Sequence, residues 1–339
     1  MNESSPTPPT TTQVLLESRP TGVPAPEHFR LETTPCEELV DGQVRVGVAA
    51  LGIDAFIRTA LNEGSFHRNV PVGGLVSALG VGVMSESRFD GIGVGDSVFG
   101  PMGAQTVATL PGAALQVVDA SDVGITAHLG ALGLSTGITA YAGMQVIGQP
   151  KETDTVVVTA AAGAVGSVAA QIARIAGARV IGIAGGPHKS AFLTDDLGLA
   201  AAIDYKNEDV EARLRELAPD GVDLFFDNVG NPILDIVIDQ IAERARIVIC
   251  GAIAQYGNMD AVDGPSNYLR IPERAATLHG FTVRHYADHI PEAMDALRGW
   301  LIDGSLPMRE TMLEGIEEFP NALITLFSGG HVGKLLVRP

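Results

Sequence analysis

The chain has 339 residues, 46% of them hydrophobic, and a formal net charge of −18. That length supports two domains, each large enough to bury its own core. The charge would repel a phosphate backbone and no Lys/Arg cluster offsets it locally, so no nucleic-acid partner is expected.

Residues 1–12, MNESSPTPPTTT, are rich in Ser, Thr and Pro and lack the basic start and apolar middle of a secretion signal. They read as a disordered tail, and a cytoplasmic location is expected. Residues 13–130 carry short Val- and Leu-rich runs broken by Gly, Pro and Asp, such as QVRVGVAALGI and GVGDSVFG, which predict a β-rich domain of small strands and turns. Residues 131–303 change texture. From Asp154 onward, strand-like runs (TVVVTAAAG, RVIGIAGG, VDLFFDNVG, RARIVICG) alternate with helical segments, the pattern of a parallel sheet covered on both faces. The fold class is therefore α/β, a Rossmann-type doubly wound sheet joined to a β-rich domain. Residues 304–339 return to short mixed segments and are expected to pack back on the first domain. No charge-free apolar run is long enough to cross a bilayer, so no membrane partner is expected. Cys36 and Cys250 form neither a C-x-x-C pair nor part of a four-ligand set, which argues against a disulfide framework or structural zinc.

The strand Thr155–Thr159 leads into the turn A-A-A-G-A-V-G and then a helix. This spacing matches the G-x-G-x-x-G fingerprint with Ala161 at the first glycine, leaving Gly163 for close approach to a pyrophosphate and Gly166 for helix packing, with Ala164 and Val165 between them. A plain strand-to-helix turn has the same local pattern; the alternation that follows favours dinucleotide binding. Where NAD enzymes place an acid after the second strand, the sequence reads Gly185, Gly186, Pro187, His188, Lys189. A carboxylate would repel a 2′-phosphate, and an ammonium offers it a charge-assisted hydrogen bond. Lys189 thus points to NADPH over NADH, against the alternative of a solvated helix residue, and Tyr205 offers a further hydroxyl donor.

Together these residues, with LLESRPTGVPAPEHFRLE, AAIDYKNEDV, FFDNVGN and ICGAIAQYGN, resemble the zinc-free branch of the medium-chain dehydrogenase/reductase superfamily that holds prostaglandin and leukotriene reductases, alkenal double-bond reductases and curcumin reductase. The resemblance spans nearly the whole chain and implies a GroES-like first domain. It implies that Lys189 and Tyr205 hold the 2′-phosphate and that Gly186 also contacts the cofactor. Nicotinamide would lie near Asn228 and the loop Cys250, Gly251, Ala252, Ile253 to Tyr256, with Phe281 and Val283 also contacting cofactor. It further implies that Tyr256 acts near the reacting carbonyl, and that a homodimer forms edge to edge through roughly residues 278–286. Three departures stand out. Phe56 replaces a usual Tyr between Asp54 and Arg58; His331 replaces the Asn of a C-terminal G-x-N-x-G-K motif that lies near the cofactor, and is carried as a candidate cofactor contact; and Gly257 is inserted between Tyr256 and Asn258.

The implied reaction is NADPH-dependent reduction of the carbon–carbon double bond of a small enone or enal, with hydride to the β-carbon and Tyr256 stabilising the enolate oxygen. The alternative for Tyr256 is packing over the cofactor. Phe56, Phe66, Tyr268 and Tyr286 are candidate pocket walls. Zinc chemistry would need three protein ligands, and neither Cys36 nor His67 has suitable neighbours, so no metal is expected. Two rival functions stay open: NADPH quinone reduction, and non-catalytic NADPH binding.

Overall fold

The computed structural model describes residues 9–63, 69–257 and 259–339, without the side chain of Asp260. Phe66, His67 and Asn258 lie outside the described residues. The chain separates into two compact units: residues up to Leu129 with Met312–Ser328 and Leu335–Pro339, and Gly130–Thr311 with Gly329–Lys334.

The first unit is built on an antiparallel sheet in which Gln43–Gly52 is the central strand, paired with Gly80–Ser87 and Val107–Pro111. Register shifts at Arg45/Val46 and Val48/Ala50 bend it, so that nearly every apolar residue along it is buried in place of a strict alternation. Val44, Val46, Leu51, Ile57, Met84, Phe319 and Leu323 form the core, and Phe56 packs partly buried against it. Thr10–Thr12, read from composition as tail, instead begin the strand Thr10–Leu16, which pairs with Phe29–Pro35. Thr11 Oγ1 donates to Val107 O (2.8 Å) and Thr106 Oγ1 accepts from Thr12 N–H (2.9 Å), partners that local composition does not reveal. Arg58, 1% exposed, donates to Gly22 O, Pro20 O and Asn62 Oδ1. It braces the Pro20–Gly22 turn.

The second unit holds a six-stranded parallel sheet. Its strands are β1 (Thr155–Thr159), β2 (Arg179–Ala184), β3 (Ala201–Asp204), β4 (Val222–Asp227), β5 (Ile241–Ile249) and β6 (Thr277–Gly280), arranged β3-β2-β1-β4-β5-β6. Every neighbouring pair is parallel. This is the Rossmann order, with its switch point between β1 and β4. Val156–Val158 and Leu224–Phe226 are fully buried because central parallel strands are covered on both faces. The edge strand β6 is exposed along all four residues.

Helix α1 (Ala164–Ile175) follows β1 and buries residues 166–173. It ends at Gly177, whose positive φ of 87° supports N–H bonds from Gly177 to Arg174 O and from Ala178 to Ala173 O. Residues 304–311 and Gly329–Lys334 belong to this second unit, in contrast to the single returning segment read over residues 304–339. Gly333 N–H donates to Ala162 O (2.8 Å), and Gly163 and Gly333 form a parallel bridge. Among the described residues no helix is long and apolar enough to cross a membrane.

Candidate functional site

Nearly all the residues predicted for the cofactor site follow the carboxyl ends of the six parallel strands, where open α/β sheets bind ligands. Gly163–Gly166 follow β1, Gly186 and Lys189 follow β2, Tyr205 follows β3, Asn228 follows β4, Cys250–Tyr256 follow β5, and Phe281 and Val283 follow β6. His331 joins them by another route. Its segment docks on the turn after β1 through the Gly333–Ala162 bond, and its side chain is buried.

The turn fits a pyrophosphate on two counts. Gly163 is the N-cap of the twelve-residue α1 and no side chain caps that end, so the first-turn N–H groups have neither an intrahelical acceptor nor a capping oxygen. At Gly166 an added Cβ would lie 2.2 Å from Ala160 O and 2.8 Å from Ala160 C, which explains why only glycine lets the helix approach the turn this closely.

At the second strand end, Gly186 caps the short helix Pro187–Ala191, which carries Lys189. The Lys189 ammonium lies near Gly329, 3.6 Å from where that glycine's Cβ would stand. Burial, with the charge of Lys206 adding to it, holds the Lys189 pKa below its ordinary value. Tyr205 is 47% exposed, and its ring covers Gly185.

At the switch point, a network missed in the sequence joins β1 to β4. Thr159 Oγ1 donates to Asp227 Oδ1 (2.7 Å) and accepts from Asn228 N–H (2.8 Å), while Asn228 Nδ2 donates to Thr159 O (2.8 Å). Asp227 also accepts from Val229 N–H and Gly230 N–H, both at 3.0 Å. Burial raises the Asp227 pKa, and these hydrogen bonds oppose the rise.

The loop after β5 is tied to the same turn. Asp227 O accepts from Cys250 N–H (2.8 Å) and Gly251 N–H (3.2 Å), and Asn228 O accepts from Ile253 N–H (3.1 Å). Tyr256 folds back on this loop, its hydroxyl oxygen accepting from Ala252 N–H at 3.3 Å. With that oxygen held, the phenol proton is available to an acceptor. Burial raises the Tyr256 pKa, the Ala252 bond opposes this, and Cys250 and Asp227 add to it, so the hydroxyl stays protonated at neutral pH. Burial likewise pushes the Cys250 thiol up to about 12, with Asp227 adding to the rise. Gln255 secures the far side of the loop, donating to Asp263 O (2.6 Å) and accepting from Asp263 N–H (2.8 Å). A pocket of about 290 Å³ beside this clamp, with Asn231, Asp235, Gln255 and Asp263 among its polar lining and Pro232 and Ala261 among its apolar lining, contains none of the predicted site residues.

Phe56 lies in the core packing of the first unit, and Tyr268 is 59% exposed. Tyr286 makes an edge contact with Phe281 (5.9 Å between ring centres) and its hydroxyl is 3.0 Å from His279 Nε2 on β6. Among the described residues no group of three or more His, Cys, Asp or Glu side chains could hold a metal ion.

Two family models match, one described as a zinc-binding dehydrogenase over residues 164–298 and one as the N-terminal domain of oxidoreductase over residues 12–118. The chain is 40% identical over 331 residues to YfmJ of Bacillus subtilis (strain 168), covering 96% of this chain and 97% of that protein. It is 33% identical over 333 residues to the NADPH-dependent curcumin reductase of Escherichia coli (strain K12), covering 96% and 95%. The chain belongs to the medium-chain dehydrogenase/reductase family. Within that family it falls in the branch of curcumin, alkenal and prostaglandin reductases. CurA from Vibrio vulnificus, solved in complex with NADPH, matches this family member with a TM-score of 0.91 at 32% identity, over 96% of this chain and 98% of CurA.

Proposed function

We propose that this medium-chain reductase uses NADPH to reduce the carbon–carbon double bond of α,β-unsaturated ketones or aldehydes, without a metal. The observation that carries the reading is the Tyr256 hydroxyl, protonated and held by Ala252 N–H in the loop that follows β5. NADP-dependent oxidoreduction agrees with the relatives' names, which include reductases of curcumin, alkenals and prostaglandins. The residues that would hold the cofactor are the α1 N-terminus at Gly163–Gly166 for pyrophosphate, Lys189 and Tyr205 for the 2′-phosphate, and Asn228 with Cys250–Ile253 for nicotinamide. NADPH supplies a hydride when bound.

The chain's own contribution is to stabilise charge. As the β-carbon is reduced, negative charge develops on the substrate's carbonyl oxygen, and the Tyr256 O–H donates a hydrogen bond to it. Removing one such donor typically costs about 3 kcal/mol of barrier, roughly a hundredfold in rate. The α-carbon then takes its proton from solvent or from the same hydrogen-bonded network. The exposed edge of β6, where Leu278 is 41% exposed, supports pairing of two copies into a homodimer.

The test is Tyr256→Phe, assayed by NADPH oxidation with an enone, an alkenal and a quinone. A drop of about a hundredfold in kcat with the enone, at unchanged KM for NADPH, is expected. An unchanged kcat rejects the role of Tyr256, and turnover with the quinone alone rejects the substrate class.

A further inference from the structure

The sequence contains only four lysines, Lys151, Lys189, Lys206 and Lys334, in a chain of net charge −18. Two of them follow adjacent strands, Lys189 after β2 and Lys206 after β3. Lys206 is exposed, yet its side chain has a fixed course near the turn after β2. Its stem lies over Gly185 beside the Tyr205 ring, so that a Cβ on Gly185 would stand 2.9 Å from Lys206 Cε and 2.8 Å from Tyr205 Cε1 and Cζ. Gly185 immediately precedes the cap of the helix that carries Lys189.

Asp204, 6% exposed, builds the platform for this arrangement. Its Oδ1 accepts from Gly186 N–H (2.7 Å) and Lys206 N–H (3.1 Å), and its Oδ2 accepts from Asn207 Nδ2 (2.7 Å). One buried carboxylate thereby links the turn after β2 to the turn after β3 and spends both oxygens inside the platform. The two lysine charges are close enough for Lys206 to depress the Lys189 pKa. The Asp204 carboxylate, whose pKa is lowered against the effect of burial by its hydrogen bonds and by the Lys206 charge, offsets part of this repulsion, but its oxygens are taken up within the platform, and the remaining like-charge cost falls when an external anion binds. A phosphomonoester, with about 1.5 to 2 negative charges at neutral pH, matches two ammonium groups in charge.

We propose that Lys206 is the second cation of a three-donor clamp, with Lys189 and Tyr205, for the 2′-phosphate of NADPH, and that it is a specificity-determining residue for the cofactor. The inference rests on the NADPH reading above. In this arrangement Asp204 is a positioning residue that sets both turns.

The experiment compares full-length wild type, Lys206→Ala and Lys206→Arg. It measures KM for NADPH and for NADH at low salt, together with calorimetric titration of adenosine 2′,5′-bisphosphate and of AMP. For Lys206→Ala, the KM for NADPH and the dissociation constant for the bisphosphate should each rise about tenfold. NADH, AMP and kcat should change by less than about twofold, and Lys206→Arg should restore most of the loss. Parallel weakening of NADPH and NADH, or no change in either, overturns the assignment while leaving wild-type NADPH preference intact. A wild type that prefers NADH rejects the cofactor reading itself, and the clamp with it.

Discussion

Replacing Thr159 with Val keeps the β-branched shape that suits β1 but removes the hydroxyl between Asp227 and the Asn228 N–H. Two losses follow at a fully buried position. A hydrogen bond to a carboxylate contributes roughly 1.5 to 3 kcal/mol, and a buried N–H left without an acceptor costs about 1 to 3 kcal/mol, so a deficit of about 3 kcal/mol is expected at neutral pH. The pH dependence has a definite sign. Asp227 has a folded pKa raised above the ordinary carboxylate value, so its contribution to stability is fully present below that value and is lost as pH rises through the folded pKa. The Thr159 bond opposes the rise; removing it pushes the folded pKa higher still. The deficit of the Val variant therefore widens with increasing pH and narrows in acid. Trp300 is the chain's single tryptophan and lies in the second unit, so its fluorescence during urea unfolding of the apo protein reports on the unit that contains Thr159. A double-mutant cycle with Asp227→Asn should give a coupling of about 1 to 2 kcal/mol. A coupling near zero, or a deficit that does not vary with pH, refutes the network as described.

Gly166→Ala should lower stability by about 1 to 3 kcal/mol and weaken NADPH, because its Cβ would be forced against the Ala160 backbone at 2.2 Å. Gly163→Ala meets only Ala160 O at 3.2 Å, so thermal melts should rank it as the milder change; the reverse order would contradict the packing argument. Because Tyr256 is held protonated, kcat for an enone should be flat from about pH 6 to about pH 9. A break in that range that disappears in Tyr256→Phe would show that the phenol titrates there.

The strand-turn-helix start of the second unit was legible because its signals are local: a buried apolar run, a small-residue turn and a helix within residues 155–175. Asn228 and Tyr256 were reachable only through the FFDNVGN and ICGAIAQYGN motifs. Asp204, Lys206 and Gln255 lie within AAIDYKNEDV and ICGAIAQYGN but carried no assigned role there, and Thr159 gave no such sign. Thr159 and Asp227 are 68 residues apart in sequence and become neighbours because β1 and β4 adjoin at the switch point. Strand order, and not residue type, creates that pair. The same reasoning explains Thr10–Thr12, whose polar composition reads as tail while their partners lie at Thr106 and Val107. His331 is singled out by its motif, but the backbone bond at Gly333 that carries its segment to the turn after β1 has no side-chain signal.

This dependence on strand order also bears on how reactivity is set. Among the described residues the Tyr256 side chain makes no hydrogen bond to Thr159 or Asn228, yet the backbone that carries it hangs from Asp227 O and Asn228 O. Asp227 and Asn228 are in turn fixed by Thr159 at the end of β1. The phenol's position therefore follows from the register of β1 against β4, two strands whose buried Val and Phe residues make slippage costly. A loop anchored this way can vary at its surface while the hydroxyl stays placed by contacts upstream of it.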